Sequence, residues 1–207
     1  MPPEIVTAMV AELDGNHGAV GADRVEDVAL RMGAARVETD KTDDGRHLVS
    51  AEFHHVGDST RAAVEVVRLL TAATGTHRPA EPVPGLRMAL CTGAHTAHGT
   101  PSGTCPLPGA ARLVEWAEPG RVLATEATVI VAGGGVPPGV DLVDRGSRRL
   151  DPDRSPERVY ELRIDVDAGT LLEHRISLPQ VADAVRHTED LPLPSRAPSL
   201  PARSARN

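Results

Sequence analysis

Strand and helix signals alternate along this chain in an order that few folds accept. Glu4 to Leu13 carries Ile5, Val6, Ala8, Met9, Val10, Ala11 and Leu13 between Pro3 and Gly15, too apolar for alternation. A strand buried on both faces fits this pattern, and so does a short helix, because periodicity alone does not separate them. Asp14-Gly15-Asn16 is a turn signal. From Asp23, residues Val25, Val28, Ala29 and Met32 recur at helical spacing, and Gly33 closes that helix. Ala35–Thr42 and Arg46–Phe53 flank Asp43-Asp44-Gly45, which reads as a hairpin with Val49, Ala51 and Phe53 on one face. Asp58 or Ser59 then caps a helix whose stripe is Ala63, Val66, Val67, Leu70 and Ala73.

After a proline-rich connector at 76–84, Leu86–Cys91 is a further strand, and Leu107–Leu113 a further helix. Pro119-Gly120 stops that helix, since proline cannot continue the ladder and glycine takes the left-handed exit. Val122-Leu123 resumes as strand, and Val140–Val143 with Arg158–Arg163 reads as a closing hairpin. Gly133–Gly139 is a turn; a phosphate-binding reading would need a following helix, and none is visible. The sum is β-α-β-β-α-β with a C-terminal hairpin, an α+β ferredoxin-like palm with an antiparallel-dominated sheet and helices on one face.

Composition narrows the rest. Phe53, Trp116 and Tyr160 are the only aromatics, so the core must rest on Ala, Val and Leu. A net charge of −7 argues against nucleic acid as a direct partner. No apolar run approaches the roughly 18 residues that span a bilayer, and the start has no basic region, so a cytoplasmic protein is expected. Cys91 and Cys105 make no disulfide framework. His95, His98 and Cys105 match no zinc-finger spacing, so a solvated loop is the expectation there. A short helix is expected over Gln180–His187, and a disordered proline-rich tail from Leu191. The domain reading is therefore 1–164 for the palm and 165–207 for a C-terminal helix and tail.

The order strand, long loop, helix, turn, strand, helix from Gly85 onward resembles the C-terminal half of class III nucleotide cyclases. The pieces that carry the resemblance are Thr92-Gly93, Arg112 on the helix, Val122-Leu123-Ala124-Thr125, Asp144-Arg145-Gly146 and Pro156-Glu157-Arg158-Val159-Tyr160-Glu161-Leu162. The resemblance implies a head-to-tail homodimer with sites between subunits and a nucleotide ligand. Cyclisation needs an activated 3′-hydroxyl and a neutralised pyrophosphate, which two carboxylates holding two divalent ions supply. By the resemblance these carboxylates are Glu12, where the family has Asp, and Asp44, with Asp43 where the family has Gly. Mg²⁺ or Mn²⁺ is the implied cofactor of any bound nucleotide, and otherwise there is none.

The remaining machinery departs from the family. Arg112 stands at the transition-state arginine position, but Pro108 stands where the family has Asn, and Asn16 and Asn207 are the only asparagines. Lys41 lies one residue off the base-recognition lysine, and Pro101 stands at the base-recognition Asp. Because Lys41 is the only lysine, the phosphate-contacting lysine of the last hairpin is absent, and Arg148 or Arg149 supplies charge there instead. The segment from Glu12 to Asp44 is also short for the family. The expectation is a catalytically inactive cyclase-homology module, dimerising or nucleotide-sensing, in bacterial signalling. The alternatives are a weakly active, Mn²⁺-dependent cyclase (a phosphorus–oxygen lyase) and an interaction scaffold without ligand. Any retained nucleotide binding is expected to centre on Arg112 and the carboxylates and to require metal.

Overall fold

Seven strands and four helices follow one another as β1 (Glu4–Leu13), α1 (Gly18–Arg31), β2 (Arg36–Lys41), β3 (His47–Phe53), α2 (Val56–Thr74), β4 (Leu86–His95), α3 (Pro106–Trp116), β5 (Arg121–Thr125), α4 (Glu126–Ala132), β6 (Val140–Arg148) and β7 (Glu157–Ile164). The computed structural model describes residues 4–14, 18–74, 83, 85–95, 106–133, 136–150 and 155–166. One unit runs from Met1 to Thr170 and a second from Leu171 to Asn207. The expected 180–187 helix and the tail lie outside the described residues, as do His98 and Cys105.

The strands form one sheet in the order β2-β3-β1-β4-β5-β7-β6. The first four give the palm order, and only the β4–β5 pair is parallel. The fold is thus the α+β, mostly antiparallel palm expected from the sequence, with the hairpin of β6 and β7 extending one edge.

The helices do not all lie on one face, and β1 supplies the reason. Met9, Ala11 and Leu13 share a buried cluster with Val25 and Val28 of α1 and Ala63, Val66 and Leu70 of α2, and Val129 of α4 packs against it. Ala8 and Val10 share a separate cluster with Ala110, Leu113 and Val114 of α3. A strand apolar on both faces must be covered on both faces, because side chains alternate across the sheet. The expected one-sided arrangement is therefore corrected: α3 covers the opposite side from α1, α2 and α4.

Local signals set most boundaries. Gly45, at φ +84°, takes the left-handed position that lets Thr42 N–H bond the Arg46 carbonyl and close the β2–β3 turn. The helix expected to be capped at Asp58 or Ser59 begins earlier, at Val56, and the Ser59 hydroxyl donates to the Val56 carbonyl from inside it. Gly133, expected as part of a turn, is the left-handed C-cap of α4, whose N-cap is Thr125. Beneath α4, the buried hydroxyls of Thr7, Thr92 and Thr128 link at 2.9 and 3.0 Å, and Thr128 also meets Thr125 and donates to the Leu90 carbonyl. Each of these polar groups is satisfied, which is what lets it lie in the core.

Candidate functional site

Only part of the face that α3 covers is apolar. On β1 the alternation Ala8, Val10 reaches Glu12 next, so this carboxylate lies on the α3 face at the strand's end, with its side chain 10% exposed. Register places Leu48 of β3 on one side of it and Arg87 of β4 on the other. Arg46, two residues before Leu48, reaches back from the hairpin. Its Nη1 donates to Glu12 Oε1 at 2.7 Å, and Arg87 Nη1 donates to the same oxygen at 2.9 Å. Arg46 Nε also donates to Asp44 Oδ2 at 2.6 Å, and the Thr42 hydroxyl donates to Asp44 as well. The hydrogen bond from Arg46, then that from Thr42, holds the Asp44 carboxyl well below the usual carboxylate range, while Asp44 and Glu12 raise Arg46 in turn.

The two expected metal ligands are thus brought together, as their places in the sheet demanded, but around a guanidinium. Among the described residues no group of three or more His, Cys, Asp or Glu gathers.

A second carboxylate lies farther along the same face. Glu161 of β7 stands opposite Leu123 of β5, in a strand whose neighbour Val159 is core. Its side chain is 2% exposed and meets three guanidiniums: Arg121 Nη1 at 2.7 Å, Arg145 Nε at 2.6 Å and Arg163 Nε at 3.5 Å. Arg145 and Gly146 form the irregularity in β6 between Asp144 and Ser147, where the strand kinks. Asp144 stays on the hairpin, accepting from Gly146 N–H at 2.8 Å and Arg158 Nε at 3.0 Å. Arg87 and Arg121 are register partners on β4 and β5, so the two clusters join into one band. It crosses six neighbouring strands from β3 to β6.

Burial raises the Glu161 carboxyl, but Arg145, Arg121 and Arg163 outweigh it and set it below its ordinary 4.5. The ionised form is therefore the one the fold favours. Its contribution is complete above about pH 5 and fades as pH falls through the lowered value. Glu161→Gln is expected to destabilise the protein at pH 7 by about 2–3 kcal/mol, less than a fully buried pair because the arginines keep water contact. It should also flatten the acid limb of a urea-unfolding series between about pH 6 and 3. Unchanged stability at pH 7 together with an unchanged acid limb would contradict this account of Glu161.

The other expected site residues are dispersed. Arg112 sits exposed on α3, and its Nη1 donates to the Leu150 carbonyl at 2.6 Å, tying the helix to the chain just beyond β6. Pro108 is exposed in the first turn of α3, where its missing N–H is no loss. Lys41 ends β2 opposite His47, on the exposed hairpin and away from the Glu161 cluster. Arg148 stacks on the Trp116 ring at 5.3 Å, and Arg149 follows it, exposed. Arg46, Arg87, Arg121, Arg145 and Glu161 were not legible as site residues. The one available signal was the carboxylate at the inward-facing position of the Val159-Tyr160-Glu161 alternation.

The class follows from the fold: the chain has the fold of the adenylate and guanylate cyclase catalytic domain. No protein-family model matches the sequence, and no curated protein does. Among solved structures, the chain is similar to an adenylate/guanylate cyclase/hydrolase from Silicibacter pomeroyi, at TM-score 0.55 and 15% identity over 78% of this chain and 98% of that one. It is also similar to the guanylate cyclase domain of RhGC from Catenaria anguillulae, solved in complex with GTP, at TM-score 0.51 and 14% identity over 78% and 97%. An adenylate cyclase from Trypanosoma brucei, solved in its monomeric state, matches at TM-score 0.50 and 17% identity over 78% and 89%. Among the described residues, no helix is long and apolar enough to cross a membrane.

Proposed function

We propose that this chain is a cyclase-homology module that acts in signalling by self-association and ligand sensing rather than by cyclising nucleotide. The observation that carries this reading is the Arg46 guanidinium, bonded at once to Glu12 and Asp44. The family's chemistry needs two divalent ions between two carboxylates. These residues do not fit that pair. Glu12 already accepts from Arg46 and Arg87 on one oxygen, and Asp44 is held by Arg46 and Thr42. A cation entering between them would displace a guanidinium that carries its own positive charge, and would strand it beside the ion. A fixed internal cation thus neutralises the carboxylates, so whatever anion the module recognises is bound without Mg²⁺ or Mn²⁺.

The self-association reading rests on the family resemblance, which implies a homodimer with sites between subunits. Light scattering at high concentration is expected to give a particle of twice 21.8 kDa. A titration of Mn²⁺ followed by its electron spin resonance signal tests the clamp. The protein as it stands should leave Mn²⁺ free to about 1 mM, whereas Arg46→Ala, which bares Asp44, should bind it at least about tenfold more tightly. Tight Mn²⁺ binding by the unaltered chain, with nucleotide turnover, would replace this reading by that of a weakly active Mn²⁺-dependent cyclase.

A further inference from the structure

Where β5 begins, a cavity of about 260 Å³ opens between α2 and the end of β7, walled by Val67, Val83, Val122, Leu162 and Ile164. We infer that this cavity binds a short aliphatic carboxylate, its chain against the aliphatic walls and its head group on Arg163. The cavity contains none of the site residues implied by the family resemblance, and it lies apart from the Glu12–Arg46–Asp44 cluster. The inference goes beyond the proposed function and does not depend on whether the chain turns over nucleotide.

The walls are the first argument. Val83, Val122 and Leu162 belong to the larger buried cluster, and Val67 and Ile164 pack against it, partly buried. The cavity therefore reaches into that core. A water there finds few polar partners, so an apolar space of this kind is poorly hydrated. Methylene groups entering it restore the dispersion contacts that its lining lacks.

Sheet geometry supplies the second. Side chains alternate across a strand, so Leu162 and Ile164 face α2 while Glu161 and Arg163 face the other side. The cavity touches both sets, so it passes round the end of the sheet. Gly120 lines this passage without a side chain, at φ +80°, its N–H donating to the Leu86 carbonyl. An apolar chamber thus leads to a charged mouth, which is the order of parts in an amphiphile.

Charge decides the head group. Among the described residues the charged side chains on this cavity are Arg121, Arg163 and Glu161. Arg121 Nη1 is committed to Glu161 at 2.7 Å. Arg163 approaches Glu161 only through Nε at 3.5 Å and is 55% exposed, which leaves its Nη groups to a ligand. A guanidinium fork matches the two oxygens of a carboxylate. A dianionic head would set its second charge beside Glu161 with no second fork to meet it. Volume sets the chain length: apolar cavities of about 150 Å³ already take benzene and drug-sized pockets begin at roughly 300 Å³, so about six to eight carbons fit.

The experiment titrates the full chain with butanoate, octanoate and dodecanoate below their micellar concentrations, followed by heat and by unfolding temperature. Octanoate is expected to bind saturably below about 1 mM and to raise the unfolding temperature. Butanoate, which lacks four of the methylenes, should bind at least about a hundredfold more weakly. Dodecanoate should gain nothing over octanoate, because its extra carbons find no room. Octanol keeps the chain and loses the charge, so it should bind at least about fivefold more weakly, and Arg163→Gln should bring octanoate down to the level of octanol. Val67→Phe, which fills the chamber from α2, should abolish binding; where that variant does not fold, Arg163→Gln, at an exposed position, carries the test. Arg31→Gln, on α1, should change nothing. Heat that does not saturate, octanol bound as tightly as octanoate, or affinity indifferent to Arg163→Gln overturns the inference. Octanoate affinity that rises as the protein is diluted overturns it too, since a second copy of the chain would then be the occupant.

Discussion

Purified protein given ATP or GTP with Mg²⁺ or Mn²⁺ is expected to form cyclic nucleotide at least about ten-thousandfold more slowly than an active cyclase domain assayed alongside it, since each lost transition-state donor typically removes about a hundredfold. Two losses are independent. Pro108 offers no side-chain donor where the family resemblance places Asn, and no asparagine lies among the described residues to replace it. Arg46 lies between the carboxylates that would activate the 3′-hydroxyl. Arg112, which the family resemblance places at the transition-state arginine, donates to the Leu150 carbonyl at 2.6 Å and would have to leave it to reach a phosphate. Product measured by chromatography at rates within about tenfold of the active comparator would overturn the proposed function, because it would mean that substitute residues supply the missing several kcal/mol. Restoring Asn at 108 should not rescue turnover by itself, since the Arg46 clamp persists.

Phe53→Ala is expected to lower unfolding free energy by about 3–5 kcal/mol, the largest stability change of any single substitution considered for this chain. Phe53 is fully buried at the end of β3, opposite Thr7 of β1, in the cluster that α1 and α2 cover. It is the only aromatic in that core, where its neighbours are Ala, Val, Leu and Met. Two terms add when the ring goes: lost transfer of the side chain from water, and the cavity left behind. Small neighbours on a hydrogen-bonded sheet cannot swing in to fill the gap, which places the cost toward the upper end. Urea denaturation followed by far-ultraviolet circular dichroism measures it, with Phe53→Leu as the volume-sparing control. A loss below about 1 kcal/mol for Phe53→Ala would mean that the site collapses, against the packing described.

The sequence by itself determined the element order and the mostly antiparallel palm, but not the side of the sheet that α3 covers. The alternation of Val49, Ala51 and Phe53 fixed a half-buried strand, Asp43-Asp44-Gly45 fixed the hairpin, and the Ala63–Leu70 stripe fixed a helix, because each signal is complete within a few residues. That Glu12 and Asp44 belong to one site was implied by the family resemblance and not by the local pattern. The apolar continuity of Glu4–Leu13 even held the evidence for a two-sided sheet, although helices on one face were expected from it.

Only the tertiary structure decided what those carboxylates touch. Arg46 and Arg87 stand 34 and 75 residues from Glu12, and Arg121 stands 40 from Glu161. Which strand neighbours which, and at what register, is settled by packing across the whole sheet, and a one-residue slip would send each side chain to the other face. A lone arginine in a sequence looks the same whether it is solvated or clamped between two carboxylates. The difference is a matter of two or three ångströms, and only the folded sheet holds it.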